Sequence, residues 1–336
     1  MLSRSLCRRS IAEVVTAINS GKHTELLKQL NEKKKLRQNE ENVDYCRALC
    51  FLAGRKDVLH ARQALLEELR HFPNNIPARN LLYEINGIAR SILLPPEEVM
   101  KGEPLFALLC DALLDHTMLS WTRLYSLYHL AKEICSNNKN EGVLMECGVA
   151  GGGSAVLLAV VAAHYSKQPR KVYAFDTFNG MPDPTLVDVL SSSHNNNNNN
   201  NNTSLEANSW GSGTCSALQD NVRQLARNFN VEDQLIIIPG MFHETMPSIL
   251  KEIPKEGIVM LHVDADWYES TKCVLELAWP KVAKGGVVQV DDYYYWNGCA
   301  KAVDEFCHRE KTSVTGMEKS LQLHPVDGNA VYFTKS

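Results

Sequence analysis

The sequence LHVDADWY at residues 261–268 and the sequence VVQVDDY at residues 287–293 decide the fold of this chain. Each segment contains an apolar run that leads into a pair of acids. An apolar run of this length predicts a buried strand, and α/β enzymes place their chemistry at the carboxyl ends of such strands. Four carboxylates delivered to one sheet edge repel each other, so we expect a divalent cation between them.

Strands and helices alternate from the double proline at 95–96 to the end of the chain. This alternation predicts an α/β fold with a mainly parallel, doubly wound sheet of the Rossmann-like type. The turn DGN at 327–329 joins the last two strands and predicts an antiparallel hairpin at one sheet edge. The predicted strands are 143–146, 171–175, 234–238, 258–263, 287–290, 321–325 and 330–333, and the predicted helices are 121–135, 155–164, 218–229, 271–279 and 300–308.

The double proline also separates an all-α region at 1–94 from the α/β domain at 95–336. The first region resembles a tetratricopeptide unit, and the alternative is a plain helical extension that packs on the enzyme or on a second subunit. A low-complexity loop at 186–212 interrupts the second domain. It contains eight consecutive asparagines at 195–202, a composition that predicts disorder.

Composition narrows the function classes. The net charge is −4, which predicts no basic face for nucleic acid. The longest apolar stretch, 155–163, is too short to span a bilayer. Ten cysteines without a CxxC pair indicate free thiols in a reducing compartment. We therefore expect a cytoplasmic protein, and Arg4, Arg8 and Arg9 near the start keep a mitochondrial location as the alternative.

The glycine-rich sequence ECGVAGGGS at 146–154 follows the first strand and opens a helix. Its spacing differs from the G-x-G-x-x-G dinucleotide fingerprint and suits a nucleoside cofactor without phosphate, such as S-adenosylmethionine. An acid at the end of the second strand is placed to accept hydrogen bonds from both ribose hydroxyls. The alternative is a glycine turn that only packs a helix on the sheet. The predicted cofactor contacts are Glu146, Gly148, Gly152, Ser154, Asp176, Gly240, Phe242 and Asp264.

With these residues in place, the chain resembles the macrocin O-methyltransferase (TylF-type) family over roughly residues 119–333. Several ordered and unusual motifs carry the resemblance. They are WTRLYSL at 121–127, ECGV at 146–149, DTFNGMP at 176–182, PGMFHETMP at 239–247, DADWYEST at 264–271, GG at 285–286, DDY at 291–293 and GCAKAVDEF at 298–306.

The resemblance implies a class I methyltransferase fold that binds S-adenosylmethionine and a magnesium-type ion, and characterised relatives methylate sugar hydroxyls of macrolides. We assign Asp264, Asp291 and Asp292 as metal ligands, because carboxylate oxygens suit magnesium. A bound cation lowers the pKa of a hydroxyl and orients it. Asp264 is the family-compatible general base, and Asp266 and His243 are the alternatives.

Two departures from the family leave the methyl acceptor open, namely the lengthened segment at 185–213 and the helices before Pro95. The hypothesis is an O-methyltransferase acting on a hydroxylated small molecule. The alternatives are an NAD-type oxidoreductase on the same fold and a helical-repeat scaffold with an inactive methyltransferase-like domain. A homodimer, and a protein partner bound through the N-terminal helices, stay open.

Overall fold

The computed structural model describes residues 11–55, 57–137, 141–191, 210–310, 312–314, 317–319 and 321–336. The basic start at 1–10 and the asparagine tract at 195–202 lie outside these residues. The chain forms two compact units. The first contains Met1–Leu93, Asn179–Asp183 and Asn201–Leu218, and the second contains Leu94–Phe178, Pro184–Asn200 and Gln219–Ser336.

The first unit is built from helices that bury one apolar face each. Apolar residues recur at three- and four-residue spacing, so residues such as Leu30, Leu65 and Leu82 meet in a common core. The predicted tetratricopeptide likeness of this region stays a prediction. The helices are α1 (Ile11–Asn19), α2 (His23–Lys35), α3 (Val43–Arg55), α4 (Val58–His71) and α5 (Ile76–Leu93).

A group of charged side chains is buried inside the first unit. Lys34 donates to Glu67 at 2.6 Å and to Asp44 at 2.9 Å, and Arg47 donates to the other oxygen of Asp44 at 2.6 Å. Glu67 is 1% exposed and Lys34 is 4% exposed. Buried charges are tolerated when they are paired and hydrogen-bonded, and here each carboxylate has at least one cation beside it.

The same unit holds two short segments from the middle of the chain. The guanidinium of Arg37 donates to the carbonyl oxygens of Asn179 at 2.7 Å and Met181 at 2.9 Å. Glu67 accepts from the backbone N–H of Cys215 at 3.1 Å and from the hydroxyl of Ser216 at 2.8 Å. The predicted loop at 186–212 is therefore flanked on both sides by residues that belong with the N-terminal helices.

We predict that Glu67→Gln destabilises the protein by about 3–5 kcal/mol, because Lys34 and Arg47 lose a buried counter-charge. Burial alone would raise the pKa of Glu67, but Lys34 and Arg47 lower it to about 2. An acid with a lowered folded-state pKa stabilises above its unfolded pKa of about 4.3, and this stabilisation is lost as the pH falls toward 2.

Urea unfolding followed by circular dichroism between pH 7 and pH 2 measures this effect. The free energy of unfolding of the wild-type protein should fall below about pH 4.3, and that of Glu67→Gln should fall less steeply over the same pH range. The exposed Glu25 on α2 provides the control, because Glu25→Gln removes an acid from the same unit without touching the buried cations. An equally steep fall of the unfolding free energy with pH in the wild type and in Glu67→Gln would contradict the prediction.

The second unit is organised around one sheet. Its strands are β1 (Val143–Cys147), β2 (Val172–Asp176), β3 (Leu235–Pro239), β4 (Ile258–Val263), β5 (Val282–Val290), β8 (His324–Pro325) and β9 (Val331–Thr334), while β6 (Thr312–Val314) and β7 (Met317–Lys319) pair separately. The strand order in the sheet is β3-β2-β1-β4-β5-β9-β8. Strands β1 to β5 are parallel, whereas β9 runs antiparallel to β5 and β8 antiparallel to β9. The predicted doubly wound sheet with an antiparallel edge hairpin is confirmed.

Helices surround this sheet, and three of them are absent from the sequence prediction, namely α6 (Glu97–Gly102), α7 (Pro104–Ala112) and α11 (Phe242–Glu252). The helix α11 begins directly after β3 and contains Pro247, a residue that usually disfavours a helix interior. No helix of the described residues is long and apolar enough to cross a membrane. The helices of this unit are α6 (Glu97–Gly102), α7 (Pro104–Ala112), α8 (Trp121–Asn137), α9 (Gly153–Tyr165), α10 (Gln219–Asn228), α11 (Phe242–Glu252), α12 (Tyr268–Ala278) and α13 (Asn297–Arg309).

Candidate active site

The loops that follow the central parallel strands all start at one level of the sheet. The backbone N–H of Gly148 donates to the carbonyl of Phe175, and that of Asp264 donates to the carbonyl of Cys147, both at 2.9 Å. The N–H of Asp291 likewise donates to Val263 at 2.9 Å. The ladder thus continues one residue past each strand, and it brings the glycine loop and the predicted acids to a common edge.

Gly148 lies where the chain order reverses, between β1 and β4. Its φ is +97°, and an added Cβ would lie 1.8 Å from the carbonyl oxygen of Asp264. Only glycine fits, since a side chain would meet backbone in a strained conformation. At Gly152, with φ +85°, an added Cβ would lie 2.7 Å from Val222. Both glycines therefore have a role in internal packing, and their predicted contact with the cofactor stays a prediction.

Asp176 ties the end of β2 to the glycine loop. One of its oxygens accepts from the N–H groups of Val149 at 2.7 Å and Ala150 at 2.8 Å. The other oxygen accepts from the N–H of Phe178 at 2.6 Å. These contacts orient the carboxylate that the sequence assigns to the cofactor ribose. The oxygen that accepts from Phe178 keeps a further lone pair, whereas the other oxygen already accepts two hydrogen bonds.

Glu146 is completely buried and contacts His262 instead of the loop surface. The distance between Glu146 Oε1 and His262 Nδ1 is 2.8 Å, and neither side chain is exposed. Register pairs Glu146 with His262 and His262 with Gln289, so the three form a polar row across β1, β4 and β5. Residues two apart on a strand share a face, so this row lies beneath Gly148, Asp264 and Asp291.

The remaining predicted cofactor residues lie at the ends of β1 and β3. Ser154 is 5% exposed in the first turn of α9, and Gly240 and Phe242 are partly buried around the start of α11. The alternative base His243 has a 65% exposed side chain and contacts Glu244 at 3.8 Å. The structure does not bring His243 into the acid cluster described next.

Carboxylate oxygens of Asp264, Asp266 and Asp292 all lie within 4.8 Å of one another. Burial and the charges of Asp291 and Asp292 raise the pKa of Asp264 well above its usual range. Burial and the charges of Asp266 and Asp291 do the same to the pKa of Asp292. Such shifts follow when several carboxylates share a site with too little positive charge.

Asp266 accepts a hydrogen bond from the indole of Trp296, a contact that the sequence does not predict. Trp296 Nε1 donates to Asp266 Oδ1 at 3.1 Å, and the Trp296 ring packs edge-on against Trp267 with centroids 4.9 Å apart. Asp266 also has a φ of +54°. Burial raises the pKa of Asp266 to about 6, although the hydrogen bond from Trp296 opposes the shift.

Asp291, the third predicted metal ligand, is paired with an arginine. The guanidinium of Arg123, in the first turn of α8, donates to Asp291 Oδ2. Burial raises the pKa of Asp291, and Arg123 opposes this shift. Arg123 belongs to the sequence motif at 121–127, but a single sequence does not show which acid a buried arginine meets.

The model of the macrocin O-methyltransferase (TylF) family matches residues 109–335, about two thirds of the chain. This chain belongs to that family. It is an S-adenosylmethionine-dependent O-methyltransferase, as predicted, and neither the oxidoreductase nor the scaffold alternative is favoured.

Named relatives agree with this family. The chain is 29% identical over 222 residues to demethyldecarbamoylnovobiocin O-methyltransferase of Streptomyces niveus, covering 66% of this chain and 76% of that protein. It is 29% identical over 219 residues to the 8-demethyl-8-(2,3-dimethoxy-alpha-L-rhamnosyl)-tetracenomycin-C 4'-O-methyltransferase of Streptomyces olivaceus, covering 65% and 75%. The solved structure of the O-methyltransferase NovP matches with a TM-score of 0.53 at 28% identity, covering 66% of this chain and 82% of that one. This family member therefore has the class I methyltransferase fold.

We predict that Gly148→Ala abolishes binding of S-adenosylhomocysteine, because the added methyl group would push the Asp264 backbone away from the glycine loop. Isothermal titration calorimetry measures the affinity, and circular dichroism checks the fold. Gly102→Ala is the matched control, since Gly102 ends a helix and has no atom within 4 Å of an added Cβ. Wild-type affinity in Gly148→Ala would disprove the required close approach.

Proposed function

We propose that this methyltransferase transfers the methyl group of S-adenosylmethionine to a sugar hydroxyl of a glycosylated small molecule, with the help of a magnesium-type cation. One observation carries the proposal. The glycine loop after β1 and the acids after β4 touch at Gly148 and Asp264, at the topological switch point where open α/β sheets bind ligands. A methyl donor on one side and an activated hydroxyl on the other would meet there.

The cofactor would occupy the side formed by β1, β2 and β3. Asp176 would accept a hydrogen bond from the ribose at Oδ1, because the single backbone contact of that oxygen leaves a lone pair free. The loop from Gly148 to Gly152 would face the methionine part, and Gly240 and Phe242 would border the adenine. Glu146 would lie on the sheet side of this loop, since its side chain is buried against His262.

The cation would bind between the acids that follow β4 and β5. Oxygens around one magnesium or calcium ion are separated by about 3–5 Å, and the oxygens of Asp264, Asp266 and Asp292 lie within 4.8 Å of one another. The raised pKa values of Asp264 and Asp292 support a cation here, because burial and the neighbouring carboxylates disfavour their charged forms. We assign Asp264 and Asp292 as ligands, and Asp291 stays the predicted third ligand. The bound ion would lower the pKa of the substrate hydroxyl.

Asp266 would accept the proton from the attacking hydroxyl. The Trp296 indole fixes the carboxylate, and a pKa of about 6 lies close to the operating pH that favours a general base. The hydroxyl oxygen would form a bond to the methyl carbon as the carbon–sulfur bond breaks. The electron pair of the carbon–sulfur bond would go to sulfur, which gives S-adenosylhomocysteine, and the hydroxyl proton would go to Asp266.

The substrate class comes from the relatives. One relative is named for a rhamnosyl-tetracenomycin acceptor and another for a novobiocin precursor. Both names indicate natural products, and the first names a sugar. We therefore propose a glycosylated acceptor for this chain as well.

We predict that Asp266→Asn lowers methyl transfer by about a hundredfold or more, the range that a general base contributes. S-adenosylmethionine with a labelled methyl group, offered with a panel of hydroxylated glycosides, detects the product. Binding of S-adenosylhomocysteine should stay at the wild-type level, because Asp266 lies on the acid side of the site. The control is Asp233→Asn, since Asp233 is exposed and precedes the opposite end of β3.

The cation is tested in the same assay. Treatment with a chelator should abolish transfer, and added magnesium should restore it. Full activity in chelator would remove the cation from the proposal while leaving the methyl transfer itself intact. Tight binding of NADH in place of S-adenosylhomocysteine would overturn the proposed function altogether.

A further inference from the structure

Among the residues that the structure describes, Arg123 is a cation that lies against the acid cluster. It projects from the first turn of α8, and its side chain is 12% exposed. Besides the ion pair with Asp291, its Nε lies 3.7 Å from Asp327 and donates to the hydroxyl of Ser120 at 3.2 Å. Because arginine is not deprotonated in proteins, the guanidinium carries a positive charge beside the proposed cation site.

Asp291 is only half satisfied by this pairing. Its Oδ2 accepts from Arg123, whereas its Oδ1 has no hydrogen-bond partner among the described residues. The residue is 2% exposed. A buried carboxylate oxygen without a partner is costly, so a second partner is expected at this oxygen.

A buried ion pair in the other unit shows what a permanent pairing looks like. Asp44 accepts from Arg47 with one oxygen at 2.6 Å and from Lys34 with the other at 2.9 Å. Both of its oxygens are satisfied by cations of the protein. Asp291 has one cation and one open oxygen, and it follows β5 directly before the proposed ligand Asp292.

The position of Asp291 relative to the other acids points in the same direction. Asp264, Asp266 and Asp292 form a group with oxygens within 4.8 Å of one another, and Asp291 is not part of that group. Its carboxylate is paired with Arg123 instead. Its side chain nevertheless leaves the sheet on the same face as Asp264, since the two residues follow register-paired positions Val263 and Val290.

We propose that Arg123 is a resident counter-cation that competes with the divalent ion for Asp291. Without the ion, Arg123 pairs with Asp291 and offsets part of the repulsion among the acids. When the ion binds, the carboxylate of Asp291 turns from Arg123 to the ion, and Asp327 keeps Arg123 in place. Arg123 is thus a positioning residue that sets how tightly the site holds its cation. This inference rests on the cation site proposed above.

The decisive experiment is a Mn²⁺ titration of the full-length, metal-free protein, followed by electron paramagnetic resonance. We expect Arg123→Met to bind Mn²⁺ about tenfold or more tightly than the wild type, because a repelling charge is removed and Asp291 becomes free. A merely structural role predicts the opposite, since damage to the site would weaken binding. Mn²⁺ should also raise the melting temperature of Arg123→Met by more than that of the wild type.

Two variants serve as controls. Arg123→Lys keeps the positive charge and should bind Mn²⁺ within about threefold of the wild type. Arg309→Met removes a surface arginine that pairs with Glu276 on the same unit and should change nothing. Equal or weaker Mn²⁺ binding by Arg123→Met would overturn the competition.

Asp291→Asn keeps the proposal testable if Arg123→Met does not fold, because it preserves the shape of the side chain. We expect it to bind Mn²⁺ about tenfold or more weakly than the wild type. Unchanged Mn²⁺ binding would show that Asp291 pairs with Arg123 and does not bind the ion, which would also overturn the proposal. A wild-type protein that binds no Mn²⁺ would remove the cation site itself, whereas failure of Arg123→Met alone would leave the proposed function standing.

Discussion

The structure depends on hydrogen bonds that continue the parallel ladder one residue past the ends of the strands. Gly148, Asp264 and Asp291 each donate a backbone N–H to the neighbouring strand at this level. Because the pairing register is shared, the loops after β1, β4 and β5 begin side by side. The two proposed halves of the site are therefore set by backbone geometry before any side chain contributes.

Electrostatics is the second constraint. Four acids gather at the ends of two neighbouring strands, and their pKa values rise because burial and mutual repulsion disfavour the charged forms. In the described part of the chain, the guanidinium of Arg123 and the indole N–H of Trp296 partly compensate this charge. This shortage of positive charge is the physical basis for both the proposed cation and the competition for Asp291.

Much of this arrangement could be predicted from the sequence. Apolar runs that end in acids indicated β4, β5 and the cluster at their ends, and the glycine spacing indicated a nucleoside cofactor. Other features involve partners far apart in the chain. Arg123 and Asp291 are 168 residues apart, and no local pattern connects them. Pro247 concealed α11, because a proline inside a helix is read as a break.

The sequence by itself determined the alternation of strands and helices, the sheet edge at which the acids gather, and the helical nature of the first region, since hydrophobic periodicity and turn residues are local properties. The tertiary structure alone decided which groups became partners. It placed His262 against Glu146, Trp296 against Asp266 and Arg123 against Asp291. It did so because strand order and helix packing, rather than spacing along the chain, determine which side chains share a buried volume.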